Sequence, residues 1–530
     1  AEAVSQGEKI PLSLNYAPIA NRVSYFCNFH GPSMAIDTVC SSSLTAVHLA
    51  IESIQRGESQ VALAGGVNLS LHPDKYMTYG MMDMHSSDGY CHSFGEGGDG
   101  YVSGEGVGAV LLKPLNQAVR DGDHIYAVIK GSVINHVGKV SGITVPSPVA
   151  QGDMIQRSFE QTGIDPRTIS YVEAHGTGTS LGDPIEIQGL IKAFGQSTRD
   201  RQYCSIGSVK SNIGHAESAA GISGLTKVIL QLYYKTLVPS LHSETINPHI
   251  HLEDSPFYVQ HQTETWRQPV IMEKGEKREY PRRAGISSFG ATGSNAHVIL
   301  EEYAREEQTR ITLEGPIDEK WVIIPLSAKN GDRLKEYAGR LLEFMRRDEN
   351  KESKQGDATS RKMSSEDGES NQNDRFDIDL EEMAYTLQTG REAMEERLAF
   401  VVKSKEDLLK KLNSFVEGED IAENFWQAQV KDSRKVMSLF GSEDTQEIVN
   451  KWISQGNPRK LAGLWVEGFH LDWESLYGKK KPGRMSAPTY PFARERYWVE
   501  VGDSKLVSSA KSGIVKSQIH PLLQENTSNL

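Results

Sequence analysis

The sequence has few cysteines, and they are far apart. Its 530 residues include four of them, Cys27, Cys40, Cys91 and Cys204. None belongs to a Cys-x-x-Cys pair, so neither a zinc site nor a disulfide framework is indicated. The sequence therefore predicts no metal site, and this cysteine usage favours a reducing, cytoplasmic compartment.

Long apolar runs and an excess of positive charge are also missing. No apolar stretch approaches the ~20 residues of a membrane-spanning helix, and no charged and apolar leader follows Ala1, so no signal peptide is predicted. The formal net charge of −13 argues against nucleic acid or an anionic membrane as a partner. The length alone suggests roughly three or four domains.

Residues 1–303 alternate short apolar runs with helical patterns, as layered α/β proteins do. A buried strand is predicted at 61–67, a helix beginning at Asp183, and a long buried helix at 216–235. The glycine-rich stretch 95–108 lacks the lysine of a phosphate-binding loop. A hairpin whose glycines allow close packing is the preferred interpretation there.

A second, smaller α/β domain is predicted at 321–487, after a charged connector at 304–320. Its predicted strands and helices are at 322–326, 333–346, 380–389, 398–402 and 405–477. Inside it, residues 348–374 are polar and of low complexity, and they are predicted to be a disordered insertion because they can bury too little apolar surface to offset the ordering entropy.

Cys40 lies where an apolar run at 34–39, predicted as a strand, turns into a helix that carries Leu44 and Val47 on one face. The positive end of the helix dipole stabilises an anion by about 0.3–1 kcal/mol, and by up to ~2 kcal/mol when partly buried. This would lower the thiol pKa by at most roughly 1.5 from its usual ~8.5. Cys40 is thus a candidate nucleophile, with a buried structural thiol as the alternative.

Two histidines lie in glycine-bounded turns. His175 follows an apolar strand predicted at 169–172, and His215 precedes the predicted helix 216–235. Glycine at such junctions lets a ligand approach closely. Each could equally be a structural histidine, and the sequence does not show whether the two meet Cys40 in space.

Together these motifs resemble the β-ketoacyl synthase (ketosynthase) domain of modular polyketide synthases. The matching motifs are at 37–43, 64–68, 87–89, 175–179, 210–215 and 287–297. The resemblance covers about 10–303 and implies an α/β, thiolase-like layered αβαβα fold that is incomplete at its N-terminus, followed by a small α/β adaptor.

Further stretches refine this resemblance. Residues 134–136 and 144–148 are similar to the branch served by a separate, trans-acting acyltransferase, and no Gly-His-Ser-x-Gly acyltransferase motif is present. Residues 488–500 resemble the strip that follows the adaptor, 501–518 a flexible linker, and 519–530 the start of a dehydratase domain. The resemblance thus implies one part of a multifunctional enzyme of secondary metabolism, of the kind used in antibiotic biosynthesis.

The sequence departs from the family in two places. Only 39 residues precede Cys40, so the chain is expected to start inside the ketosynthase domain and to be inactive alone. Thr292 stands where family members usually have glycine, which bears on the mobility of the loop after Phe289.

The resemblance implies a transferase of the 3-oxoacyl-[acyl-carrier-protein] synthase type. Cys40 would carry the growing acyl chain as a thioester. A malonyl unit would lose CO₂, and its enolate would attack that thioester. His175 and His215 would donate hydrogen bonds where the enolate charge develops.

The same resemblance implies supporting roles. Lys210 would orient His215 together with Glu217, and the backbone N–H of Cys40 with one near Phe289 would form an oxyanion hole. The phosphopantetheine arm would bind Thr177 and Thr179. The domain itself is expected to bind no cofactor, since its substrates are carried on phosphopantetheine.

The implied partners are acyl carrier protein domains, a trans-acting acyltransferase that acts indirectly or through the adaptor, and a second copy in a homodimer. A non-elongating ketosynthase that only loads and passes on the chain is the main alternative. A cysteine hydrolase is disfavoured because the pattern has two histidines and no Asn or Asp partner.

Overall fold

Short strands alternate with longer helices along most of the computed structural model, which describes residues 15–71, 73–304, 321–356, 378–421, 423–430, 452, 457–477 and 481–495. The described residues divide into two units. Unit 1 takes those within Ala1–Lys320, Ile378–Arg391 and Asp472–Ser486, and unit 2 takes those within Trp321–Asp377, Glu392–Leu471 and Ala487–Leu530.

The strands of unit 1 are β1 Ala62–Asn68, β2 Gly106–Leu112, β3 Ala127–His136, β4 Tyr171–Glu173, β5 Cys204–Gly207, β6 Thr236–Leu237, β7 Phe257–Val259, β8 Glu264–Thr265, β9 Val270–Glu273, β10 Glu276–Glu279, β11 Arg283–Phe289 and β12 Ser294–Glu302. Its α-helices are Ala17–Cys27, Ser42–Gln55, Asp74–Met81, Leu115–Arg120, Pro148–Thr162, Gly182–Gly195, Lys210–Ile213, Ala220–Tyr234 and Leu380–Thr389. Single 3₁₀ turns occur at Pro166–Thr168, Glu217–Ala219 and Trp473–Leu476.

A six-stranded mixed sheet forms the centre of unit 1, in the order β3-β12-β11-β4-β5-β7. Strands β11, β4, β5 and β7 run parallel, whereas β12 is antiparallel to both of its neighbours. Side chains alternate between the two faces of a strand. Val172 therefore joins the core on one face of the sheet, and Tyr171 joins the core on the other.

Helices cover both faces of this sheet. Pro148–Thr162 and Gly182–Gly195 pack on one face, and Ser42–Gln55 and Ala220–Tyr234 pack on the other. The antiparallel pair β1-β2 lies on the far side of the second helix pair. The described residues of unit 1 thus form α, β, α and β layers in that order.

Several sequence-based predictions for unit 1 need correction. The strand predicted at 61–67 is β1, but Leu63 on its outer face is 45% exposed, so the strand is not buried on both sides. The glycine-rich stretch 95–108 is not a hairpin. The residues before β2, which begins at Gly106, are irregular, and a Cβ atom at Gly98 or Gly104 would lie 2.6 Å from the backbone oxygen of Gly178 or Ile213, respectively. The close packing was therefore predicted correctly and the hairpin was not.

Unit 2 is built on an antiparallel sheet in the order β13-β14-β15, with β13 Val322–Ala328, β14 Glu396–Val402 and β15 Phe425–Gln429. Its described helices are Gly331–Gly356, Lys405–Glu417 and Pro458–Val466. The prediction of helix throughout 405–477 is wrong at β15, where a five-residue aromatic segment pairs with β14 along the sheet edge.

The predicted adaptor, 321–487, is divided between the two units. Ile378–Arg391 and Asp472–Ser486 group with unit 1 because of specific contacts: Arg484 donates to Asp123 at 2.9 Å, and Met485 N–H donates to Thr386 at 2.9 Å. The helix predicted at 380–389 is present with those limits.

Other boundaries stay predictions. The helix Gly331–Gly356 ends inside the segment predicted to be disordered from 348, and the remainder of that segment, 357–374, lies outside the described residues. So do most of the connector, the end of the strip at 496–500, the linker at 501–518 and the tail at 519–530. Within the described part of the chain, no helix is long and apolar enough to span a bilayer.

Candidate functional site

Cys40 sits on a tight turn rather than at the end of a strand. Residues 34–37 form no strand, and Thr38 and Cys40 make only an isolated bridge. Val39 between them has φ +56°, a left-handed conformation that is strained for a β-branched residue. Ser42 holds this turn, because its hydroxyl accepts the Thr38 N–H at 2.9 Å and donates to the Val39 carbonyl at 2.6 Å.

The hairpin β11-β12 holds the turn from the other side. Ser288 Oγ donates to the Cys40 carbonyl at 2.8 Å, although the two residues are 248 positions apart. Gly290 packs directly on the turn, since a Cβ atom there would lie 2.3 Å from the Thr38 carbonyl oxygen. The backbone around the thiol is therefore fixed by residues remote in sequence.

Replacing Gly290 with alanine is expected to lower stability by about 1–3 kcal/mol and to slow acyl loading on Cys40, because the methyl group must push the nucleophile turn aside. Thermal unfolding and acyl transfer to Cys40 measure the two effects. Gly195→Ala is the matched control, because a Cβ at Gly195 meets no atom within 4 Å. Equal effects of the two substitutions would contradict this account.

The thiol pKa differs from the prediction. Cys40 is 9% exposed, and burial raises its pKa to about 11, although Lys210 and the N–H of Ala291 act to lower it. The expected lowering by the helix N-terminus is wrong because desolvation of a buried thiolate exceeds a dipole worth at most ~2 kcal/mol.

His175 follows β4 and is fixed through its main chain and its ring. Glu186 accepts its N–H at 2.7 Å and that of Gly176 at 2.8 Å. Lys210 Nζ donates to its carbonyl oxygen. The ring Nδ1 accepts the N–H of Phe289 at 3.3 Å, so strand β11 orients the imidazole.

His215 is 1% exposed and is fixed in a similar way. It lies before the 3₁₀ turn Glu217–Ala219, not at the first turn of the helix Ala220–Tyr234. Its Nδ1 accepts the N–H of Glu217 at 2.9 Å, and its own N–H donates to the Val102 carbonyl at 2.7 Å. The Glu217 carboxylate pairs with Lys75 at 2.9 Å.

The two imidazoles meet in one cleft, with ring centroids 5.5 Å apart and nearly perpendicular planes. Cys40, His175 and His215 all line this cleft. Because Nδ1 of each ring accepts a backbone N–H, the hydrogen bonds assign the proton of the neutral ring to Nε2. Burial and the nearby Lys210 charge hold both histidine pKa values well below the ordinary value, so both rings stay neutral donors.

The buried neutral state of His215 should make the protein sensitive to acid. Below pH ~6.5 the unfolded chain binds a proton at this histidine that the folded chain does not bind, so stability is complete above that pH and falls by up to about 1.4 kcal/mol per pH unit below it. His215→Gln should remove this part of the acid sensitivity. Urea unfolding between pH 7.5 and 5.5 tests this, and parallel curves for the two proteins would contradict it.

The remaining predicted residues lie near this centre, but one contact differs. Lys210 reaches the carbonyl of His175, not the ring of His215. Phe289 is 7% exposed and packs on the His175 ring at a centroid distance of 5.5 Å. The hydroxyls of Thr177 and Thr179 are 3.2 Å apart on the wall of the cleft.

Sequence reasoning missed two buried carboxylates on the helix Gly182–Gly195. Glu186 binds the loop at His175, and Asp183 accepts N–H groups of Phe94 at 2.8 Å and Gly178 at 3.2 Å. Burial raises the pKa of Asp183 to about 6 and that of Glu186 to about 7. The sequence did contain a signal for them, because these two carboxylates are three positions apart and come just after a glycine-rich loop.

Family models match most of the chain. The β-ketoacyl synthase N-terminal domain matches residues 3–118 and the C-terminal domain matches 126–244. The ketoacyl-synthetase C-terminal extension matches 247–366, and the RhiE-like, KS-MAT linker domain matches 371–419. Among the described residues, no cluster of three or more His, Cys, Asp or Glu is arranged to hold a metal ion.

Known proteins resemble the chain closely. The polyketide synthase PksM of Bacillus subtilis (strain 168) is 58% identical over 529 residues, which cover 100% of this chain and 12% of PksM. The solved ketosynthase from module 6 of the bacillaene synthase of Bacillus subtilis 168 has a TM-score of 0.78 at 42% identity, with 91% of this chain and 78% of that one covered.

A second solved structure agrees. The oxazolomycin ketosynthase domain OzmH KS7 from Streptomyces albus JA3453 has a TM-score of 0.74 at 40% identity, with 94% and 75% coverage. These likenesses confirm the predicted fold class, a thiolase-like α/β fold. The chain spans about an eighth of PksM, so what the whole of PksM does is not transferred by this match.

Proposed function

We propose a reaction for this chain from the premise that it belongs to the β-ketoacyl synthase family and is a ketosynthase of a modular polyketide synthase. Such enzymes are transferases that act on acyl thioesters. The observation that carries the proposal is the pair of neutral imidazoles, each with its proton assigned to Nε2, that line the same cleft as Cys40.

In the first step Cys40 takes the acyl chain. Its sulfur attacks the carbonyl of an acyl thioester on a carrier protein, the new C–S bond forms, and the bond to the carrier's sulfur breaks. The proton of the Cys40 thiol moves to the departing carrier thiol. The net transfer therefore requires no Cys40 thiolate beforehand, and the raised pKa of the thiol does not prevent it. The N–H groups of Cys40 and Ala291 lie beside the sulfur and are the candidates for an oxyanion hole.

In the second step a malonyl thioester enters. Its carboxylate leaves as CO₂, and the electron pair of the broken C–C bond forms an enolate. His175 and His215 donate Nε2–H to the thioester oxygen on which the enolate charge develops. The enolate carbon then attacks the acyl carbonyl at Cys40, a C–C bond forms, and the C–S bond breaks with release of the Cys40 thiolate. A proton taken up from solvent then restores the Cys40 thiol.

Other residues support these steps. Lys210 and Glu186 hold the His175 loop by its main chain, and Glu217 holds the His215 ring. Thr177 and Thr179 are proposed to bind the phosphopantetheine arm, because their hydroxyls lie on the cleft wall. We propose that the domain needs no bound cofactor or metal of its own.

The proposed partners follow from the reaction. Acyl carrier protein domains would deliver both thioesters, and a second copy of the domain would complete a homodimer. A trans-acting acyltransferase would supply the malonyl groups, a role supported by the motifs at 134–136 and 144–148. The proposed compartment is the cytoplasm.

A loading and extension assay tests the proposal. Full-length protein is given an acyl thioester and then malonyl-carrier protein, and mass spectrometry follows the acyl group on Cys40 and the β-keto product. Extension by one two-carbon unit is the expected result. Loading without extension would favour the non-elongating alternative, and release of free acid would indicate a hydrolase.

A further inference from the structure

Glu173, two residues before His175, forms a buried ion pair with Lys227 that has no part in the steps above. Lys227 Nζ lies 2.8 Å from Glu173 Oε2, and the two side chains are 8% and 2% exposed. The Tyr171 hydroxyl donates to the same carboxylate oxygen at 2.7 Å. Burying such a pair costs desolvation energy that apolar side chains would avoid, so stability alone does not account for it.

The other carboxylate oxygen reaches the segment that carries Lys210. Glu173 Oε1 accepts the N–H of Val209 at 2.6 Å. Val209 directly precedes Lys210, whose ammonium donates to the carbonyl of His175. The carboxylate therefore ties together the two segments that carry the His175 ring and the Lys210 charge.

Glycines keep the space that this cluster occupies. A Cβ atom at Gly224 would lie 3.1 Å from Glu173 Cγ, and a Cβ atom at Gly207 would lie 2.9 Å from the Tyr171 hydroxyl. Both are closer than nearly all Cβ contacts in proteins. The backbone around the cluster is thus fitted to a full-sized Glu173 and Tyr171.

Lys210 is 4% exposed, so its charge depends on its neighbours. Burial lowers its pKa, and Glu173 is the foremost of the groups that raise it again, ahead of Glu186 and the thiols of Cys40 and Cys91. Three other groups also interact with its charge, Asp183, His175 and His215.

We propose that Glu173 is a positioning residue for the decarboxylation step, because its carboxylate anchors Val209 and keeps the Lys210 ammonium charged against the His175 carbonyl. Lys227 and Tyr171 hold that carboxylate in place. This inference rests on the proposed function, since it assigns a role within that reaction. Glu173 does not contact substrate and is not a catalytic residue.

The test compares pH profiles of malonyl decarboxylation by the acylated full-length protein. Glu173→Gln removes the charge, and the double variant Glu173→Gln/Lys227→Met removes both charges so that no unpaired ion stays buried. In both we expect the alkaline limb to move to lower pH, because Lys210 then loses its proton more easily. On that limb the rate falls about tenfold for each pH unit of the displacement.

A matched control is the surface pair of Lys192 and Asp153, which are 2.6 Å apart and 37% and 56% exposed. The variant Asp153→Asn/Lys192→Met should keep the alkaline limb of the wild type. Displacement in the folded Glu173 variants alone would support the inference. An unmoved limb in a folded Glu173→Gln or Glu173→Gln/Lys227→Met protein would overturn it.

A second measurement separates this inference from the proposed function. The rate of iodoacetamide alkylation against pH, read at Cys40 by peptide mapping so that the exposed Cys27 does not contribute, needs no condensation, and Lys210 lowers the pKa of the Cys40 thiol. In the Glu173 variants we expect slower alkylation at alkaline pH, because Lys210 loses its proton at a lower pH than in the wild type. Unchanged alkylation would overturn the inference, whereas a wild-type protein that alkylates as expected but never decarboxylates would overturn the proposed function.

Discussion

Substitution of His215 by glutamine is expected to leave acyl loading at Cys40 intact and to reduce chain extension by about 10²–10³-fold. The reason is that glutamine cannot present a donor at the position of Nε2 while its other end accepts the Glu217 N–H, and one preorganised donor to a developing oxyanion is worth about 2.7–4 kcal/mol. His175→Gln should act in the same way. Loading is measured by mass spectrometry of the acylated protein, and extension by CO₂ release.

His251→Gln is the matched control, because His251 is exposed and does not line the cleft. It should load and extend at the rate of the unaltered protein. Extension at an undiminished rate by either cleft variant would show that the two rings are not the donors. A variant that fails to load as well would place that histidine in the transfer step.

Cys40→Ala is expected to reduce acyl loading by on the order of 10³-fold or more, because alanine has no nucleophilic atom and the nearby Ser42 hydroxyl is engaged in the hydrogen bonds of the turn. The fold should survive, since loss of one sulfur atom from a buried site leaves only a small cavity. Acylation by a thioester substrate followed by peptide mapping gives the measurement.

Cys27→Ala controls for the exposed thiol. Alkylating reagents are a poor way to identify the nucleophile of the resting protein, because Cys27 is exposed whereas the Cys40 thiol is buried with a pKa of about 11. A transferred acyl group reports the reaction itself. Retention of the acyl label in the Cys40→Ala protein would refute the assignment.

The sequence predicted correctly those helices and strands whose apolar residues repeat with a clear helical or strand period. The helix Leu380–Thr389 and the strand β14 follow from apolar periodicity, and the aspartate cap at Asp379 agrees with it, since its carboxylate accepts N–H groups of Glu381 and Glu382. The family motifs predicted which residues would gather. His175 and His215 do meet each other, in a cleft that Cys40 also lines, which no spacing in the sequence could show.

What the sequence could not show depends on tertiary contacts. The residues before Cys40 favour a strand by propensity, yet the hairpin β11-β12 and Ser42 hold Val39 in a left-handed conformation. The thiol pKa was predicted from the helix terminus alone, whereas burial decides it. The roles of Glu173 and Glu186 become visible only when the N–H groups they accept are known.

The joint between the nucleophile turn and the hairpin β11-β12 limits how ketosynthases can be recombined. A chimera whose seam falls between these segments would set Thr38 and Cys40 of one parent against the serine and glycine of another. If the two parents differ in how closely the hairpin packs on the nucleophile turn, the Cys40 sulfur of the hybrid would be displaced, even if both halves fold. Exchanges that transfer the nucleophile turn and the hairpin together, or that transfer neither, should keep the Cys40 thiol in its position relative to the two histidines.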